Sequence, residues 1–131
     1  MAQKPVSGEA TAWSLDNTTW LPFEVSGWIE TSGVQQIKGA ILQRNNSGGA
    51  LVGLCWRMCQ GPSDPGTYTS WAVVPGTATL DNDDPPNAGS WQAATDLNSY
   101  RYFQLGVWAK NSSGSATEIC LVSYNFDFRS C

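Results

Sequence analysis

Apolar residues recur at every second position along most of this chain. A period of two belongs to a half-buried β-strand, whose side chains alternate between a core face and an outer face. Over 23–30, Phe23, Val25 and Ile29 share one face, while Glu24, Ser26, Trp28 and Glu30 share the other. Over 51–59, Val52, Leu54, Trp56 and Met58 oppose Leu51, Cys55, Arg57 and Cys59. Over 101–109, Phe103, Leu105, Val107 and Ala109 fall on the core side. Over 119–129, Val122, Tyr124, Phe126 and Phe128 do the same, with Ser123, Asn125, Asp127 and Arg129 outward. Ile37, Gly39 and Ile41 share a face within 34–44, and 68–74 is rich in aromatic and β-branched residues.

Turn-forming residues separate these segments: 31–33, 45–49, 61–66, 75–76 and 111–114 are rich in Gly, Pro, Asn, Asp, Ser and Thr. The clusters at 45–49 and 111–114 predict hairpins between the strands they join. No segment shows a helical period over ten residues, although 96–100 fits one helical turn. A chain of 131 residues is one domain's worth of polymer. The expectation is an all-β fold: an antiparallel β-sandwich, jelly-roll-like, with seven to eight strands over 9–131 and an N-terminal arm over 1–8.

Charge narrows the function. Seven Lys and Arg against eleven Asp and Glu leave a net charge of −4, and no two basic residues are adjacent. Phosphate backbones and anionic membrane surfaces need clustered positive charge, so neither nucleic acid nor membrane is the expected partner. The N-terminus has no apolar stretch of signal-peptide type. Two origins stay open for Met1: the native start, or a replacement for a cleaved leader. A virion or an extracellular assembly is the favoured location.

Histidine is absent. Ser-His-Asp and Cys-His nucleophile pairs therefore cannot be built from this chain. Paired carboxylates remain as catalytic chemistry, but Glu24 and Glu30 on one strand lie about 20 Å apart. Glu24 and Glu118 could meet only across strands. The expectation is a non-enzyme that needs no cofactor. The one dense oxygen-ligand cluster is Asp81, Asn82, Asp83 and Asp84, a candidate calcium loop that departs from the EF-hand spacing. Four cysteines, Cys55, Cys59, Cys120 and Cys131, allow three disulfide connectivities. Cys55 and Cys59, four residues apart on one extended strand, are about 13 Å apart, too far to pair with each other.

Seven tryptophans carry the strongest functional signal. Trp56 lies on an apolar face and belongs to the core. Trp28 and Trp108 fall on otherwise polar faces, and Tyr102 and Gln104 share the face of Trp108. Aromatics among polar neighbours stack on sugar rings or anchor protein interfaces. Trp28, Tyr102, Gln104 and Trp108 are thus the candidate binding or interface residues. Two functions follow. One is a structural subunit that self-associates or decorates a larger assembly such as a virion, sheath or fibre. The other is a carbohydrate-binding module or lectin for neutral glycans, with Gln104 and Asn125 as hydrogen-bond partners.

Overall fold

The computed structural model describes residues 5–10, 20–44, 50–77, 80–81, 87–111 and 121–130. Among these, the alternating segments form ten strands: β1 (Val6–Ala10), β2 (Leu21–Glu30), β3 (Gln36–Arg44), β4 (Ala50–Cys59), β5 (Ala72–Val73), β6 (Leu80–Asp81), β7 (Asn87–Ala88), β8 (Gln92–Ala93), β9 (Tyr102–Asn111) and β10 (Leu121–Arg129). One sheet runs β1-β10-β3-β7, with β8 also on β3; the other runs β2-β9-β4-β5, with β6 also on β4. Every pairing is antiparallel.

β5 and β6 lie in line along β4, and β7 and β8 lie in line along β3. Counting each couple as one interrupted strand gives eight strands, four to a sheet. The chain changes sheet at every connection between these strands except the one from β4 to β5. That order is a jelly roll, two Greek keys rolled into a sandwich.

The two hairpins expected at 45–49 and 111–114 are not formed. β3 and β4 belong to different sheets, as do β9 and β10. The physical reason is that alternation and turn residues read the same whether the chain returns along its own sheet or crosses to the facing one. Residues 6–8 of the expected arm lie in β1, which pairs with β10 from Val6↔Phe126 to Ala10↔Val122. The helical turn expected near 96–100 is a single 3-10 turn, Thr95–Ser99.

The core lies between the sheets. Ile37, Ile41, Val122, Phe126 and Phe128 come from one sheet; Val52, Leu54, Trp56, Phe103, Leu105 and Val107 come from the other. Each such side chain contributes roughly 1.5–3 kcal/mol on burial. Phe103 meets Trp56 and Phe128 edge-on, with centroids 6.1 and 5.6 Å apart. At Gly39 the sheets approach so closely that a Cβ would lie 2.6 Å from Leu54 Cδ1. Among the described residues, no helix is long and apolar enough to cross a membrane.

Candidate interaction face

The outer faces of the two sheets differ in kind. On the β1-β10-β3 sheet, Ser7, Glu9, Ser123, Asn125, Asp127, Arg129, Gln36 and Lys38 point away from the core, as their cross-strand pairing requires. On the β2-β9-β4 sheet, the outward positions of the two central strands include Cys55, Arg57 and Cys59 on β4, and Tyr102, Gln104, Gly106 and Trp108 on β9. Gly53 opposite Trp108, and Cys55 opposite Gly106, leave shallow ground beside those larger neighbours. Aromatic side chains from nearby segments settle onto it.

Trp71 lies over Gly106, where a Cβ would approach its Cζ3 to 2.8 Å. Trp20 stacks on Trp108 with centroids 5.1 Å apart and planes 25° apart, and Lys110 Nζ sits 5.1 Å from the Trp20 ring. Tyr68 meets Trp28 at 4.7 Å.

Arg57 is the centre of this layer. Its guanidinium carbon lies 4.7 Å from the rings of Tyr68 and Trp71 and 5.4 Å from that of Trp28. Contacts at this range are attractive, because the ring face is electron-rich. Nη2 donates to Glu24 Oε1 at 2.8 Å, and Nε donates to Gln104 Oε1 at 2.9 Å. Gln104 in turn donates from Nε2 to the Ser26 carbonyl at 3.1 Å. Ser26 lies in a bulge of β2, where the register slips between Glu24 and Trp28. The slip takes up two extra residues, so the faces of β2 keep their parity. Ser26 Oγ accepts from the Leu105 N–H at 2.9 Å, replacing a ladder bond lost at the bulge. One polar chain thus links β2, β9 and β4.

The structure brings Trp28, Tyr102, Gln104 and Trp108 onto one sheet face. Trp28 stands directly opposite Gln104, which stands opposite Arg57. Trp28, Tyr102 and Trp108 are half-buried, while Gln104 is only 4% exposed. Each end of the Gln104 amide makes a bond inside the chain, so this buried side chain links Arg57 to the Ser26 carbonyl. Asn125 lies on the other sheet's outer face, where it donates to Asp127 Oδ2 at 2.9 Å. Residues outside the expected interface set complete the layer: Glu24, Arg57, Tyr68, Trp71 and Trp20. The available signal was the lone charge of Arg57 in the otherwise uncharged run over 50–59, together with Gly53, Cys55 and Gly106 on a supposedly solvent-facing surface. Small residues there imply that something packs above them.

Cys55 and Cys59 are free thiols, both fully buried on this face. Burial pushes each thiol pKa above the ordinary value; the nearby Arg57 charge pulls the other way at Cys55, and the Gly61 backbone hydrogen bond and then Arg57 do so at Cys59. Cys120 and Cys131 lie outside the described residues. Of the candidate calcium loop, Asp81 ends β6, and Asn82, Asp83 and Asp84 lie outside the described residues, as does Glu118. Among the described residues, no three His, Cys, Asp or Glu side chains converge to hold a metal ion.

No family model matches this chain, and no curated protein and no solved structure matches it.

Proposed function

We propose that the protein is a non-catalytic assembly subunit, a jelly-roll block that associates with copies of itself through the outer face of the β2-β9-β4-β5 sheet. Such a block would build or decorate a larger particle, such as a virion, sheath or extracellular fibre. The fold alone does not decide this, because jelly rolls serve as capsid and lectin domains alike. The carrying observation is the composition of one face. Trp28, Trp71, Trp108, Tyr68 and Arg57 cluster there, and Trp, Tyr and Arg are the residues that dominate protein–protein hot spots. Val73 stands on the same face opposite Cys55 and is 47% exposed, the one large hydrophobic left open among the described residues. The low overall charge favours close approach of like copies.

Light scattering over a range of protein concentrations tests the reading. The wild type should form oligomers, and Val73→Glu should shift them to monomers without changing the circular dichroism. A wild type that stays monomeric at high concentration refutes it.

One feature favours a glycan-binding module as the second reading. Glu30, Thr31, Ser32, Tyr100 and Arg101 line a hollow of about 190 Å³ next to Tyr102. A carboxylate, hydroxyls and aromatic rings are the groups that hold a neutral sugar. Against it, the larger aromatics of this face have ring faces engaged within the chain: Trp108 by Trp20, and Trp28 by Tyr68 and Arg57. Glycan-array binding lost in Tyr100→Ala, the aromatic that lines the hollow, would favour this reading over assembly.

A further inference from the structure

The Arg57–Glu24 ion pair sits in the middle of the aromatic face and crosses the central strand β9 near Gly106, which has no side chain to intervene. Its two ends differ in exposure: the Glu24 side chain is 57% exposed and that of Arg57 19%. Among the described residues, Arg57 uses one N–H at Nε and one at Nη2, out of the five that a guanidinium carries. Glu24 uses Oε1 for this bond, and a carboxylate accepts at two oxygens. Among the described residues, the pair therefore keeps further donor capacity on Arg57 and further acceptor capacity on Glu24 near the centre of one patch. That is the requirement for a self-complementary contact, in which the same surface meets itself across a two-fold axis.

We infer that two copies of this chain pair face to face about a two-fold axis at this ion pair, so that Glu24 of each copy accepts from Arg57 of the other. The four charges then alternate in sign around a ring, and each carboxylate touches two guanidinium groups. The occupant is a second copy because the patch carries equal and opposite charges side by side. A partner bearing only one sign of charge would meet repulsion at one member of the pair. The rings of Trp28, Tyr68 and Trp71 pack around Arg57, and pairing of two copies would remove the exposed Glu24 from water, which strengthens the crossed bonds. This inference rests on the assembly reading and specifies its contact.

Charge reversal in two separate chains tests it. Glu24→Lys makes the ring all positive in a homodimer, and Arg57→Glu makes it all negative. Each variant alone should associate roughly tenfold more weakly or worse. An equal mixture should regain association as a one-to-one heterodimer, read by native mass spectrometry with one chain mass-labelled. An ion pair confined within each chain predicts no such rescue, so a mixture of folded variants that stays monomeric overturns the inference. Arg57 is enclosed by rings, and its variant is first checked for folding by circular dichroism. Should it not fold, Glu24→Lys alone decides, because Glu24 is exposed: association equal to wild type overturns the inference, and loss of association supports it. A wild type that never associates defeats the assembly reading itself. A wild type that associates as well as Glu24→Lys defeats only the contact proposed here.

Discussion

The six-membered edge of Trp71 rests on Gly106 with no room for a methyl group between them. A Cβ at 106 would lie 2.8 Å from Trp71 Cζ3 and 3.0 Å from the Phe23 carbonyl oxygen. The tryptophan can swing away, but the carbonyl belongs to the paired strand and cannot move without breaking the ladder. Gly106→Ala should therefore destabilise the fold by about 1–3 kcal/mol, the usual cost of overpacking. It should also lift Trp71 from its seat above β9. Urea unfolding measures the first effect. Faster reaction of the Cys55 thiol with a disulfide reagent measures the second, since Cys55 stands beside Gly106 on the same face. An unchanged urea midpoint would show that the face adjusts freely.

Gln104 offers a different kind of test, because its value lies in hydrogen bonds. Gln104→Leu leaves Arg57 Nε and the Ser26 carbonyl without their partner. Buried groups left unsatisfied cost about 1–3 kcal/mol each, so a loss of about 2 kcal/mol or more is expected in urea unfolding. Gln104→Glu keeps an acceptor for Arg57, whose charge offsets that of the buried carboxylate, but it loses the donor to Ser26 and sets an oxygen against the Ser26 carbonyl. It should fall between the wild type and the leucine variant. Equal stability of all three would mean that water replaces the side chain at both ends.

Much of this architecture was legible in the alternation. Val52, Leu54, Trp56 and Met58 are buried as their spacing requires, and so are Phe103, Leu105, Val107 and Ala109. The same spacing placed Trp28, Tyr102, Gln104 and Trp108 on outward faces. What alternation does not encode is which sheet a strand joins, so the crossings from β3 to β4 and from β9 to β10 read as hairpins. Nor does it encode a third layer. Cys55, Cys59 and Gln104 occupy outward positions and are nevertheless buried, because Trp71, Tyr68 and Arg57 close over that face. The contact that organises the layer joins residues 57 and 104, which are distant in sequence. No local pattern announces such a pair.

Glu24 separates folding from association. Its ion pair with Arg57 lies at an exposed position, and exposed pairs contribute about 0–1 kcal/mol. Glu24→Gln should change monomer stability by less than about 1 kcal/mol. A larger loss in dilute solution, where no oligomer forms, would mean that the carboxylate holds the Arg57 cluster together.

Alkaline pH reports on the buried thiols. Burial raises the Cys55 pKa above its ordinary 9.0, and the Cys59 thiol shifts in the same direction. Below pH 9 the thiols are protonated in both folded and unfolded chains, and they contribute nothing to the pH dependence of stability. Above that point the unfolded chain releases its thiol protons while the folded chain retains them. The unfolded state then binds fewer protons, so stability falls as pH rises, by up to about 1.4 kcal/mol per pH unit from Cys55. Tyr124, also raised by burial, adds to the fall above its ordinary 10.0. Urea midpoints measured from pH 7 to pH 10.5 should be level at first and then decline from about pH 9. Cys55→Ala should flatten the first part of that decline, and Tyr124→Phe the last. A wild-type midpoint that stays level through pH 10 would mean that the folded chain exposes its thiols, and that Trp71 does not seal the face above Cys55.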